Sequence, residues 1–159
     1  MRGSIARLLI AALISVSTAR ASADTPTPID AKALFNTHCA VCHRPSGVGT
    51  PGLAPPLTDV PAILMTTAEG RRQLALTILY GLYGEITVSE RRYNFKMPAF
   101  SQLDNESLAA LLNYVSHDLA HAPQTTAMTS VDLADERTKP IDGAAVRAHR
   151  ALALASPTL

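Results

Sequence analysis

Apolar positions recur at helical spacing in three stretches of this chain, and clusters of proline and glycine separate them. The first stretch runs from Asp30 to Cys42. Ala31, Leu34, Phe35 and Cys39 share one face there, and Asp30 is placed to cap the first turn. The second runs from Glu69 to Tyr83, with Leu74, Ala75, Ile78, Leu79 and Leu82 in one stripe. Arg71 and Arg72 open its polar side, and Gly81 and Gly84 end it. The third follows Asp104 or Asn105 as cap. Leu108, Leu111, Leu112, Val115 and Leu119 form the clearest stripe in the chain, and Pro123 stops it. Between the first two helices, residues 44–59 hold Pro45, Gly47, Gly49, Pro51, Gly52, Pro55 and Pro56, a density of breakers that predicts an ordered loop. A short turn is expected near Ile63 to Met65. Ile86 to Val88 and the stretch around Tyr93 read as a small hairpin about Ser89-Glu90, and Met97 to Phe100 as a loop. The expectation is an all-α domain with loops and a short hairpin.

The two ends of the chain differ from this middle. Arg2 and Arg7, an apolar run from Leu8 to Val16 and the small residues Ala21-Ser22-Ala23 match a cleavable export signal over residues 1–23, with Asp24 as the first mature residue. The run is about half the ~20 apolar residues of a spanning helix, so a membrane anchor is disfavoured, and no other segment reads as a span. The expected location is periplasmic. Residues 24–123 then form the folded domain. Residues 124–159 carry no aromatic residue and are rich in Ala, Thr and charge. They read as a C-terminal extension, loosely packed or ordered by a partner, with Asp142 capping a last short helix through Ala155.

Composition narrows the function classes. Of 159 residues, 47% are hydrophobic and 17% charged, which excludes a disordered polyelectrolyte. The formal charge is +1 and becomes −2 once residues 1–23, with three arginines and no acid, are removed. No basic block is present, so nucleic-acid binding is not expected. Aromatic residues are only 4% and tryptophan is absent. So thin a core implies that something other than side chains fills it.

The chemistry lies in Cys39-Ala40-Val41-Cys42-His43. Cys-x-x-Cys-His is the attachment signal for a c-type haem. On a helix, positions i, i+3 and i+4 share a face. Cys39 and Cys42 can then reach the two vinyl groups of one porphyrin, and His43 can place a ring nitrogen on its iron. Three alternatives fit less well. A thioredoxin-like redox pair needs a preceding strand, which is not read here. Zinc needs further ligands, and His38, His117, His121 and His149 make no recognisable set. A disulfide between i and i+3 staples almost nothing.

Further pieces carry a resemblance over roughly residues 29–122. They are Leu34-Phe35 before the haem string, Gly47-x-Gly49-Thr50-Pro51-Gly52-Leu53-Ala54-Pro55-Pro56-Leu57, Gly81-x-x-Gly84-x-Ile86-Thr87-Val88, Tyr93-Asn94-x-x-Met97-Pro98-Ala99, and Leu103 through Leu108-Ala109-Ala110-x-Leu112-x-Tyr114-Val115. In this order they resemble the class I monohaem c-type cytochromes, and are similar to those that accompany periplasmic quinoprotein dehydrogenases. The resemblance implies a cytochrome c-like fold of three to four helices around one covalently bound haem c, and an electron carrier rather than an enzyme. It implies His43 and Met97 as axial iron ligands, Met97 lying 54 residues after His43. The bland reading of Met97 is a core gap-filler, and Met65 and Met128 are the other mature methionines. The resemblance also implies that the Pro55 carbonyl orients His43, where the alternative is a stiff turn. Leu57 is expected on the porphyrin face, Tyr93 and Asn94 near the sulfur or a propionate, and Arg71 or Arg72 as a propionate partner if not simply solvated. Ala31 and the Ser89-Glu90-Arg91-Arg92 turn depart from the family pattern, where glycine is frequent.

The expected partners are redox proteins, a periplasmic dehydrogenase, a terminal oxidase or another cytochrome. Two other functions stay open at this point. One is a subunit docked to a larger redox complex through residues 124–159. The other is a haem sensor or enzyme in which Met97 can be displaced.

Overall fold

The computed structural model describes residues 28–155, so the export signal and its cleavage point lie outside the described residues. Seven α-helices and one hairpin follow in chain order: α1 (Ala31–His38), α2 (Ala40–His43), α3 (Val60–Leu64), α4 (Ala68–Tyr80), β1 (Ile86–Val88), β2 (Arg91–Tyr93), α5 (Asn105–Asn113), α6 (Ser130–Arg137) and α7 (Gly143–Ala155). This is the all-α chain with a short hairpin that the sequence predicts, with seven helices among the described residues in place of three to four. Among the described residues, no helix is long and apolar enough to cross a membrane.

Local chemistry explains most boundaries. Asp30 accepts a hydrogen bond from the Ala33 N–H and starts α1. The helical path kinks at Cys39 and continues through α2, because the Cys39 carbonyl accepts from both the Cys42 and His43 N–H groups. Thr67 caps α4, and Gly81 ends it at φ 75°. Asp104, rather than Asn105, caps α5 by accepting from Ser107 N–H. That bond holds the Asp104 carboxyl below its ordinary range, so the cap persists until pH falls below that range. The hairpin pairs Ile86 with Tyr93 and Val88 with Arg91. Its turn holds Ser89 and Glu90 at φ 48° and 64°, a left-handed pair usually given to Asn and Gly. After α5 the helix widens to a π-helical segment, Tyr114–Leu119, closed by Ala120 N–H on the Val115 carbonyl.

The core lies where α1, α4 and α5 meet. Phe35, Leu79, Leu108 and Leu111 are fully buried there. Phe35 packs on Tyr114 with ring centroids 5.5 Å apart, where α1 lies against the C-terminal end of α5.

The extension is not loosely packed. Helix α6, which the periodicity did not reveal, begins with a capping box between Thr129 and Asp132 and lies on α4 and α5. Helix α7 lies along α4, with Asp142 accepting from the Ala144 and Ala145 N–H groups as its cap. Leu133 and Val146 are fully buried, and Met128 and Ala153 nearly so. Charged side chains finish the join. Arg71 donates to the Thr126 and Ala127 carbonyls and to Asp132. Arg72 forks onto Glu136 at 3.1 Å. Arg137 reaches back to Asn105 and to the Ser101 and Leu103 carbonyls.

Candidate functional site

One large cleft opens beside α2, with about 1110 Å³ of empty space including its mouth. Cys39, Cys42 and His43 form one wall. Leu53 to Leu57 form another, and Ile86, Val88 and Tyr93 of the hairpin a third. Met97 and Phe100 come from the loop before α5.

His43 is buried, and its Nδ1 is 2.9 Å from the Pro55 carbonyl oxygen. A carbonyl carries no proton, so Nδ1–H must be the donor. Nε2 then keeps its lone pair, the tautomer an iron ligand needs. Burial lowers the His43 pKa and the Pro55 bond raises it, with burial the larger effect, so the ring favours the neutral form.

The loop holding that carbonyl is stitched to α2. Gly49 N–H donates to the His43 carbonyl, Thr50 Oγ1 to the Cys42 carbonyl at 2.9 Å, and Leu57 N–H to the Gly47 carbonyl. Gly49 sits at φ 75°, and a Cβ there would meet the Ala54 oxygen and Pro55 carbon at 2.6 Å. Gly49→Ala is therefore expected to push the Pro55 carbonyl from His43 and to cost more than about 1 kcal/mol in denaturant unfolding. An unchanged midpoint would show that the loop yields freely.

The Cys39 thiol lacks the lowered pKa of a redox-active cysteine. Burial first, and Cys42 second, push the Cys39 thiol up to about 11. Redox-active Cys-x-x-Cys thiols are instead lowered, to roughly 3.5–7.5. No group of three or more His, Cys, Asp or Glu gathers into a metal-binding cluster among the described residues.

Met97 is the methionine on the cleft wall, while Met65 and Met128 are buried in the main core. Its backbone is clamped. Met97 N–H donates to the Leu82 carbonyl at 2.8 Å, and Leu82 N–H returns a bond to the Met97 carbonyl at 3.1 Å. This close approach requires Gly81, where a Cβ would lie 2.4 Å from the Met97 oxygen.

Leu57 and Tyr93 also line the cleft, and Tyr93 is buried. Asn94 is exposed and off the wall, so it is not brought to the site. Arg71 and Arg72 are spent on the extension, which removes them as propionate partners. His117 bonds Thr125 at 3.2 Å and His121 is exposed, both away from the cleft. Sequence reasoning missed Phe100, Lys96 and Arg150 on the wall. Two thiols, an imidazole with its outer nitrogen free, a thioether and a large apolar cleft together fit a haem.

Comparison with known proteins agrees. The family model described as cytochrome c matches residues 29–120. A cytochrome c-552 of Thermus thermophilus is 39% identical over 110 residues, covering 69% of this chain and 70% of that protein. A second Thermus thermophilus cytochrome c-552 is 44% identical over 78 residues, covering 49% of this chain and 60% of that protein.

Proposed function

The chain belongs to the cytochrome c family as a class I monohaem, electron-carrying member with covalently bound haem c, and from that premise we propose a periplasmic carrier that passes single electrons from a dehydrogenase to a terminal oxidase or another cytochrome. When bound, the haem supplies a one-electron Fe(III)/Fe(II) couple. Cys39 and Cys42 would hold that haem covalently through their two sulfurs, a linkage that neither oxidises nor reduces it. His43, held in orientation by the Pro55 carbonyl, would offer Nε2 to the iron. Met97 would offer its thioether from the clamped Leu82–Met97 bridge. With both bound, no open position would remain for oxygen, and a soft neutral sulfur would favour the reduced metal.

The observation that carries this reading is the one cleft that Cys39, Cys42, His43 and Met97 all line. Val41 and Phe95 stand exposed on its rim, a small apolar contact of the kind suited to brief redox encounters. The extension turns Leu133, Val146 and Ala153 inward, which supports a clasp on its own domain over a docking arm for a larger complex.

Expression with an export signal in a host that attaches haem is the test. The purified protein is expected to begin at Asp24, to weigh one haem more than the processed chain and to cycle reversibly by one electron. Cys39→Ser combined with Cys42→Ser should be colourless. A native chain with the mass of the bare polypeptide would overturn the reading.

A further inference from the structure

Arg150 breaks the pattern of its helix. The inward stripe of α7 runs through Gly143, Val146 and Ala153, all buried, and Arg150 falls on it, one turn beyond Val146 and one before Ala153. A helix docking by this face would ordinarily carry an apolar residue there. Arg150 instead lines the cleft, as do Gln73, Leu74 and Thr77 of α4, the helix on which α7 packs.

Its guanidinium meets no acceptor among the described residues. Arg71, Arg72 and Arg137 all find carboxylate or carbonyl acceptors. Among the described residues Arg150 makes no side-chain hydrogen bond and no ion pair. The nearby polar groups of α4 are satisfied elsewhere: Gln73 Oε1 meets His149 Nδ1 at 2.7 Å, and Gln73 Nε2 donates to Thr77 Oγ1. His149 in turn faces Glu69 and Arg72. The other titratable groups on the cleft wall are His38, Cys39, Cys42, His43, Tyr93 and Lys96, and no carboxylate is among them. Burial lowers the Arg150 pKa, the mark of a cation held partly out of water. A cation so placed is costly unless an anion meets it.

We propose that Arg150 binds a propionate carboxylate of the haem, so that the C-terminal extension completes the cofactor site. This rests on the haem reading above. Lys96 is the other fixed cation on the wall, but it is exposed and lies 5.5 Å over the Tyr83 ring. Arg150, less hydrated and able to fork onto both carboxylate oxygens, is the better partner.

The test compares holoprotein of the native chain with Arg150→Gln, Arg150→Lys and Lys96→Gln, following midpoint potential against pH, with haem content and circular dichroism alongside. A neighbouring arginine lowers a carboxyl by roughly 1–3 units. The native potential should therefore be flat from about pH 5 to 8, above the propionate pKa. In Arg150→Gln that pKa rises into the range, and the potential should fall as pH rises through it, because the ionised carboxylate favours ferric iron. Arg150→Lys should restore most of the flat profile, and Lys96→Gln should keep it. Arg150→Gln with normal haem content and the native profile would overturn the proposal, as would a slope seen only in Lys96→Gln. Should Arg150→Gln not accumulate, the native haem propionates can be titrated by nuclear magnetic resonance. One is expected to stay ionised to about pH 4 or below, and two ordinary titrations would overturn the proposal. A colourless native chain of bare polypeptide mass would overturn the haem reading itself, and is told apart by that mass.

Discussion

Met97→Ala is expected to lower the reduction potential by tenths of a volt and to let the ferrous protein bind carbon monoxide. Axial ligand choice spans roughly 0.8 V in haem proteins, and exchanging a thioether for water or nothing removes the donor that favours ferrous iron. The fold should survive. The two bonds that tie Met97 to Leu82 are backbone bonds, and neither needs the side chain. Met65→Ala provides the contrast. Met65 is 3% exposed within the main core, so its loss should cost about 2–5 kcal/mol of stability with potential and carbon monoxide response unchanged. Spectroelectrochemistry and carbon monoxide difference spectra read both effects. A Met97→Ala protein with the native potential and no new ligand binding would remove Met97 from the metal. A native ferrous protein that binds carbon monoxide readily would favour the sensor reading instead.

The site was more legible than the extension, and for a physical reason. Attachment and ligation chemistry demands particular residues at fixed spacing, so Cys39, Cys42 and His43 announce themselves, and the Met97-Pro98 pair stands in the loop where the resemblance places a ligand. The Leu-rich stripes of α4 and α5 and the caps at Asp30 and Asp142 were equally plain. Helix α6 was not. It buries Leu133 and Glu136 and little else, and its capping box uses Asp132 where Glu or Gln is usual. The clasp is joined by Arg71, Arg72 and Arg137, and an arginine on a polar face reads as solvated until its acceptor is seen. The π-helical segment was invisible because Val115 and Leu119 keep the apolar stripe whatever the local hydrogen-bond pattern. Asn94 was assigned on resemblance alone, and its exposure shows how little a neighbouring Tyr93 on the wall constrains the next residue. Arg150 did leave a signal: a cation on the otherwise apolar buried stripe of α7.

Removing residues 124–159 is expected to cost several kcal/mol, enough to leave the holoprotein partly unfolded at moderate denaturant. Leu133 and Val146 are each fully buried, and burying such a side chain contributes about 1.5–3 kcal/mol. Val146 covers Leu76 and Leu82, and Leu82 carries the bridge to Met97, so the loss reaches the ligand loop. Asn113 loses both of its partners, the Met128 carbonyl at 2.9 Å and the Met128 N–H at 2.7 Å. Set against the roughly 5–15 kcal/mol that stabilises a domain, these terms form a large share. Denaturant unfolding of truncated and full-length holoprotein measures the difference, and paired point variants locate it. Leu133→Ala should cost about 2–5 kcal/mol, while Val131→Ala, at a position 65% exposed on the same helix, should stay within about 0.5 kcal/mol. A docking arm would behave the other way, leaving stability untouched on truncation and making Val131 matter only when a partner is present.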